Sequence, residues 1–181
     1  MRILKAKVHG KVQGVWFRKY TLDCANRLRI VGIVEKGTSK KSLYQMLDNY
    51  KIRKSTDIFF NISPSKVSNH LNASDIGISA INPIPKYIVS TPTKMVEYLS
   101  YGLPVVCNNE ILDQKNVIDK SKAGFAVPYS VKSFYKSVVS LLNDKELYSE
   151  MSKKGRDWIR ENRTYDDLAP LLIEKYTSFS N

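Results

Sequence analysis

The sequence predicts an α/β fold in which helices cover both faces of a parallel sheet. Short apolar runs bounded by polar or turn residues, such as LRIVGIV at 28–34, are typical of buried strands. Between them lie stretches with apolar side chains at helical spacing, as at Leu43, Met46, Leu47 and Tyr50. Strands that alternate with helices in this way indicate a parallel sheet between two helical layers. The 181 residues, 43% of them hydrophobic, suffice for one domain with a real core.

The predicted elements follow one another along the whole chain. A half-buried strand is predicted over 3–10, and a glycine-containing loop then leads into a helix over 20–28. Further strands are predicted over 28–34, 57–62, 75–81, 103–107 and 124–129. Helices are predicted over 41–50, from 63 onward, and over 93–101, 110–121, 131–142, 144–161 and 165–177, with a proline-rich loop over 82–92. Ligands of such sheets bind beyond the carboxyl ends of the strands, so the candidate loops follow residues 9, 35, 62, 81 and 107.

Composition excludes several classes of protein. No apolar run reaches the roughly 18–20 residues that a membrane-spanning helix needs. Charges also occupy the first residues, where a signal peptide would be apolar. Cys24 and Cys107 are too few for a disulfide framework and lack metal-ligand spacing. A reduced, cytoplasmic protein that needs no metal is therefore expected.

The formal charge of +12 raises the question of an anionic partner. The basic residues are scattered through every segment, and the dense clusters are short ones such as Lys40-Lys41 and Lys153-Lys154. No nucleic-acid-binding motif accompanies them. We therefore expect a solvated, lysine-rich surface and no nucleic-acid partner. A peripheral contact with anionic lipid, or with phosphate-bearing substrates, stays open as the alternative.

Residues 92–102 carry the pattern with the most chemistry. Pro92 precedes a predicted helix whose first turn contains Thr93 and Lys94. The N–H groups at a helix start lack intrahelical partners and lie at the positive end of the helix dipole, which suits a diphosphate. Lys94 adds a mobile cation there, and Glu97, one turn further, could accept two hydrogen bonds from ribose hydroxyls. Gly102 ends the predicted helix. From composition alone, an ordinary helix with an exposed lysine and glutamate is the alternative.

Residues 92–106, PTKMVEYLSYGLPVV, resemble the donor-site helix of retaining GT-B glycosyltransferases, the glycosyl transferases group 1. Other segments resemble the same family in the same order along the chain. They are LRIVG and KSLYQMLDNYKI, then NHLNASDIGIS before the donor loop, and finally residues 111–169. The resemblance covers residues 29–181. It implies the Rossmann-like, donor-binding C-terminal lobe of such an enzyme, without the lobe that holds the acceptor.

The resemblance also implies roles for particular residues. It implies that Glu97 holds the nucleotide ribose and that the preceding loop and helix start hold the diphosphate, that is, Ser90, Thr91, Pro92, Thr93 and Lys94. The frequent family pattern has a second glutamate eight positions earlier that meets the sugar, and Val89 takes its place here. A branch of the family with a Ser-x-Pro-x-Lys loop also lacks that glutamate, and Ser90 to Lys94 match it. Binding of a UDP- or GDP-linked sugar is thus better supported than its transfer.

Residues 8–28, VHGKVQGVWFRKYTLDCANRL, resemble a different family, the acylphosphatases, which cleave carboxyl-phosphate anhydrides on a ferredoxin-like fold. The resemblance implies that the loop VQGVWFR cradles a phosphate with its backbone amides and Arg18. The asparagine that orients the attacking water in that family is replaced here by Lys36. A charged lysine cannot accept a hydrogen bond from water, so catalysis by this segment is disfavoured. A tight turn with Arg18 in solvent stays open as a purely structural interpretation.

Two segments are therefore predicted: an incomplete acylphosphatase-like strand–loop–helix over 1–28, and a donor-binding domain over 29–181. We hypothesise that the first segment supplies the first strand and helix of the sheet, with Arg18 near a bound phosphate. The domain is expected to be incomplete for transfer on its own. The alternatives are an acylphosphatase-like hydrolase that uses Arg18, and a non-catalytic subunit that pairs with a separate acceptor lobe. Apolar residues of the last helix predict self-association or such a partner: Leu168, Leu171, Leu172 and Tyr176.

Overall fold

In the part of the chain that the structure describes, the sheet has four parallel strands. A computed structural model describes residues 30–31, 39–59 and 63–178. The strands are β1 (Ile30–Val31), β2 (Ile76–Ser79), β3 (Val105–Asn108) and β4 (Gly124–Val127). They lie side by side in the order β1-β2-β3-β4, and every neighbouring pair is parallel. The predicted parallel α/β sheet is thus confirmed.

Eight α-helices and one 3₁₀ helix (Arg53–Ser55) accompany the strands in the described ranges. The α-helices are α1 (Lys40–Asn49), α2 (Pro64–Asn72), α3 (Pro85–Ile88), α4 (Thr93–Ser100), α5 (Leu112–Ser121), α6 (Val131–Asn143), α7 (Lys145–Asn162) and α8 (Tyr165–Ser178). From α4 onward, these bounds fall within two residues of the predicted ones. Capping explains part of this agreement, since Ser130 and Asp144 accept N–H hydrogen bonds at the starts of α6 and α7.

The two faces of the sheet pack against different helices. On β3, Val105 and Cys107 belong to one apolar cluster with the buried residues of α4 and α5, whereas Val106 belongs to the other cluster with those of α6. Successive side chains of a strand point to opposite faces, so α4 and α5 cover one face and α6 the other. Helix α7 joins both clusters, through Ile159 in the first and Met151 in the second.

Two predicted elements differ from the structure. The strand predicted over 57–62 is wrong for residues 57–59, which form no strand, while residues 60–62 lie outside the described ranges. A strand needs a partner strand, and Phe59 instead packs on the ring of His70 in α2, with ring centroids 4.0 Å apart. The loop predicted over 82–92 contains the short helix α3, which begins at Pro85 because proline at a first helical position has its φ angle already set.

The N-terminal predictions mostly lie outside the described residues. This applies to the strand over 3–10, the helix over 20–28, Arg18 and Lys36. The strand predicted over 28–34 is confirmed for Ile30 and Val31, which pair with Ile76 and Gly77 of β2.

Candidate functional site

The start of α4 lies at the carboxyl end of the sheet. The chain leaves β2 after Ser79, runs through α3 and α4, and returns to begin β3 at Val105. Because β2 and β3 are parallel, the helix that connects them runs back from the carboxyl ends to the amino ends. The N–H of Gly77 donates to Pro104 O at 3.0 Å, which fixes the exit from α4 beside the first half of β2. Thr93 is therefore at the end where parallel sheets bind ligands.

The first turn of α4 lies at the positive end of the helix dipole and contains no acidic side chain. Pro92, the N-cap residue, is extended with φ −77° and ψ 102°, and no side chain caps the helix start. The N–H of Met95 bonds back to Pro92 O at 3.2 Å. The first turn contains no aspartate or glutamate, so the partial positive charge of the helix dipole is available to an external anion.

The six predicted donor residues lie in the loop after α3 and in the first part of α4. Pro92 is buried, Thr91 and Thr93 are exposed, and Lys94 is partly buried. The Ser90 hydroxyl donates to Tyr87 O at 2.7 Å, and its N–H donates to the same oxygen at 3.1 Å, so α3 holds the segment that precedes Pro92.

Glu97 lies one turn beyond the helix start, with an exposed side chain. It makes no ion pair with any residue in the described part of the chain. Val89, which stands where the resembled family often has a glutamate, is 75% exposed at the end of α3.

A glycine determines where α4 ends. Gly102 has φ +70°, its N–H donates to Leu99 O at 2.9 Å, and the N–H of Leu103 donates to Tyr98 O at 3.0 Å. This pair of hydrogen bonds is the Schellman arrangement, which requires a left-handed residue and favours glycine. The predicted role of Gly102 is confirmed, and it fixes the length of α4 between the candidate site and β3.

Sequence reasoning missed a buried polar network at the carboxyl ends of the strands. Ser79, Asn108 and Gln114 are each 0% exposed. Asn108 Oδ1 accepts the N–H of Ile81 at 2.8 Å, and the Ser79 hydroxyl donates to Gln114 Oε1. One sequence signal could have indicated this network. Asn108 and Asn109 directly follow the strand predicted over 103–107, and the loop after residue 107 was already a candidate site.

Glu110 extends this network to the end of the last strand. Its Oε2 accepts from Asn108 Nδ2 at 3.0 Å, and its Oε1 accepts the N–H of Tyr129, which follows β4, at 2.8 Å. The carboxyl ends of β2, β3 and β4 are thereby joined through side chains.

The last helix presents apolar side chains to solvent, as predicted. Leu172 is 56% exposed and Tyr176 73% exposed, and Ile173 adds a third apolar side chain at 64%. The side chains of Leu168 and Leu171 lie outside the described part. Each described helix is too short or too polar to traverse a lipid bilayer.

Comparisons with known proteins agree with this fold. The family model for glycosyl transferases group 1 matches residues 17–158. An uncharacterised glycosyltransferase of Haemophilus influenzae is 28% identical over 130 residues, which make up 71% of this chain and 34% of that protein. The chain therefore spans about a third of the length of this curated relative.

Solved structures share the same architecture at low identity. The C-terminal domain of the group 1 glycosyl transferase LpcC from Francisella tularensis superposes with a TM-score of 0.68 at 14% identity, over 90% of this chain and 87% of that one. A TarM mutant from S. aureus, in complex with UDP among other ligands, gives a TM-score of 0.72 at 12% identity, over 94% of this chain and 34% of that one. The latter aligns with a minor part of a larger protein, whereas the former is itself a separate C-terminal domain. By its family match and its fold, the chain belongs to the glycosyl transferases group 1.

Proposed function

We propose that this chain binds a nucleoside-diphosphate sugar at the start of α4. The observation that carries the proposal is the uncapped, acid-free first turn of α4 at the carboxyl end of the sheet, with Glu97 exposed one turn further along. A helix start of this kind attracts phosphate through its N–H groups and its dipole. Family membership and the UDP in the TarM structure support the choice of ligand class.

Each predicted residue then has a distinct role. The loop and helix start, from Ser90 to Lys94, hold the diphosphate, and Lys94 contributes its ammonium group. Glu97 accepts hydrogen bonds from the two ribose hydroxyls, for which its two carboxylate oxygens are suited. UDP and GDP carry the same ribose and diphosphate. These contacts therefore recognise a nucleoside diphosphate but do not distinguish uracil from guanine.

The domain at 29–181 is proposed to bind the donor without transferring the sugar on its own. Val89 leaves the position of the family's frequent sugar-contacting glutamate without a carboxylate. The relative from Haemophilus influenzae is about three times longer than the matched part. We propose that the exposed apolar side chains of α8 dock either a separate protein that carries an acceptor lobe or a second copy of this chain.

Isothermal titration of the chain with UDP and GDP tests the proposal. Glu97→Ala should weaken binding of the nucleotide about 10- to 100-fold, since hydrogen bonds to a charged group contribute about 1.5–3 kcal/mol. Lys94→Ala should weaken it less, and its effect should shrink at high salt. Matched controls are Glu161→Ala in the last turn of α7 and Lys132→Ala in α6, both at exposed positions on other helices.

Two results would count against the proposal. Absence of binding to both nucleotides in the unaltered chain would remove it, and so would Glu97→Ala binding as tightly as Glu161→Ala. Acetyl phosphate serves as a further ligand, because turnover that disappears in Arg18→Ala would favour the acylphosphatase-like alternative instead.

A further inference from the structure

We infer that Asn108 is a positioning residue that holds the entrance to the donor segment in place. The inference rests on the proposed function. Asn108 is the last residue of β3 and is fully buried. Its Oδ1 accepts the N–H of Ile81 at 2.8 Å, two residues after the end of β2. From Ile81 the chain leads through α3 to Ser90, so Asn108 fixes the point from which that segment departs.

The direction of each hydrogen bond is determined by chemistry. A backbone N–H can only donate, so the amide oxygen of Asn108 must face Ile81. The amide nitrogen then faces Glu110, whose ionised carboxylate can only accept, at 3.0 Å. The second oxygen of Glu110 accepts the N–H of Tyr129 at 2.8 Å. In the reversed amide, Nδ2 would face the Ile81 N–H, which is donor against donor, and Oδ1 would face Glu110 Oε2, which is acceptor against acceptor. Only one orientation therefore satisfies both neighbours.

Gln114 reinforces that orientation from inside the protein. The Ser79 hydroxyl donates to Gln114 Oε1. This turns Gln114 Nε2 toward Asn108, where the backbone oxygen lies at 3.3 Å and Oδ1 at 3.4 Å. All three side chains are 0% exposed. A buried network with every donor matched to an acceptor is rigid, because any rearrangement leaves a polar group without a partner.

The network therefore has a geometric consequence for the candidate site. One end of the segment from Ile81 to Pro92 is held by Asn108, and near the other end Ser90 is held by Tyr87. Loosening the Ile81 end would let the chain before α4 depart from its place beside β3. Binding of the diphosphate would then have to order that segment first, which weakens the observed affinity.

A swap of charge between Asn108 and Glu110 tests the inference. Asn108→Asp keeps an acceptor for Ile81 but places a carboxylate against that of Glu110, and like charges at this distance repel. Asn108→Asp combined with Glu110→Gln restores a donor–acceptor pair at that contact, keeps an acceptor for Tyr129 and leaves the total charge unchanged. Asn116→Asp, at an exposed position of α5, is the control for the added charge.

Two measurements are made on the full chain: UDP affinity by titration, and amide hydrogen exchange of Ile81. Asn108→Asp should weaken UDP binding about tenfold and speed exchange at Ile81 by a similar factor. The double variant should bind UDP within about threefold of the unaltered chain, with Ile81 protected again. The rescue matters because it shows that donor–acceptor pairing between positions 108 and 110 sets the affinity, and not the loss of the asparagine side chain itself.

The outcomes separate this inference from the proposed function. If the Asn108→Asp protein binds UDP as tightly as the Asn116→Asp protein, Asn108 does not have the inferred role. The same follows if the double variant binds UDP no more tightly than the Asn108→Asp protein. Should Asn108→Asp not fold, the double variant must still fold and bind UDP, and its failure would refute the arrangement. If the unaltered chain binds neither UDP nor GDP, the proposed function fails, while protection of Ile81 still reports on the anchor itself.

Discussion

The contact between Gly77 and Tyr98 gives a sharp test of how α4 is seated on the sheet. Tyr98 lies next to Glu97 on α4 and is 0% exposed. Its ring lies directly over Gly77 of β2. A Cβ atom placed on Gly77 would come within 2.5 Å of Tyr98 Cδ2 and 2.7 Å of Cγ. Carbon atoms in ordinary contact are about 3.5–4.0 Å apart, so Gly77→Ala forces α4 or β2 to move by about 1 Å.

The expected cost follows from this overlap. Overpacking a filled core typically costs about 1–3 kcal/mol. Tyr98 has no open space to move into, because it is a member of the core cluster between α4 and the sheet. For a chain of this size, each kcal/mol lowers the melting temperature by about 2–4 °C. Gly77→Ala should therefore lower the melting temperature by about 2–12 °C.

Urea unfolding followed by circular dichroism, with a thermal scan, measures this cost. Gly155→Ala in α7 is the graded control, because its added Cβ would meet Leu99 Cδ2 at 3.1 Å and Ala123 Cβ at 3.2 Å. It also gains about 1 kcal/mol of helix propensity, so its net effect should be small. Tyr98→Ala combined with Gly77→Ala should be more stable than the sum of the single effects by about 1 kcal/mol, since Tyr98→Ala removes the Cγ and Cδ2 atoms and the added methyl group then fills vacated space.

A Gly77→Ala protein whose free energy of unfolding lies within about 0.5 kcal/mol of the unaltered chain, the range of neutral surface changes, would contradict a close contact between Tyr98 and Gly77. Strictly additive effects of Gly77→Ala and Tyr98→Ala would contradict that contact as well. In either case the ring and the glycine would not be in the close contact that sets the height of α4 above β2.

Three further positions, Gly102, Cys107 and Arg163, give testable expectations. Gly102→Ala should lower the free energy of unfolding by about 1–2 kcal/mol, measured in urea, because φ is +70° there and a left-handed residue with a Cβ is strained; an unchanged midpoint would contradict this. Burial raises the pKa of Cys107 to about 12. In a Cys24→Ser background its thiol should therefore resist a thiol reagent at pH 8.5 until denaturant is added, whereas rapid labelling of the folded chain would disprove the burial. Because the unfolded thiol ionises first, stability should fall as pH rises past 9.0. Arg163→Met should cost about 1–2 kcal/mol by thermal unfolding, since Arg163 Nη2 donates to Asp113 Oδ1 at 3.1 Å and is the ion-pair partner of that partly buried carboxylate among the described residues; equal stability would show the pair to be dispensable.

The sequence could predict features that depend on neighbouring residues. The helix predicted over 93–101 spans Thr93–Ser100 in the structure. Its start is set by Pro92 and its end by Gly102, and both act within a few residues through backbone angles and local hydrogen bonds. The same holds for α6 and α7, whose first turns are capped by Ser130 and Asp144. The alternation of such helices with apolar runs was enough to predict a parallel sheet.

Strand pairing was harder to predict, because it depends on partners distant in the chain. Residues 57–59 have the apolar pattern of a strand, yet Phe59 packs on His70 and no strand forms there. An apolar pattern predicts that a segment is partly buried, but it does not predict which other element the segment packs against. The helix α3 was also not predicted, because its four residues form about one turn, which is too short to show a helical periodicity.

The sequence by itself determined the parallel α/β class, the position of α4 and the residues at its start. These follow from periodicity, proline and glycine, all of which act locally. The tertiary structure alone decided which polar groups meet at the carboxyl ends of the strands. Ser79 and Gln114 are 35 positions apart, and Ile81 and Asn108 are 27 apart. No local rule selects such partners; they meet because parallel strands bring their ends to one edge, where buried polar groups must pair with one another.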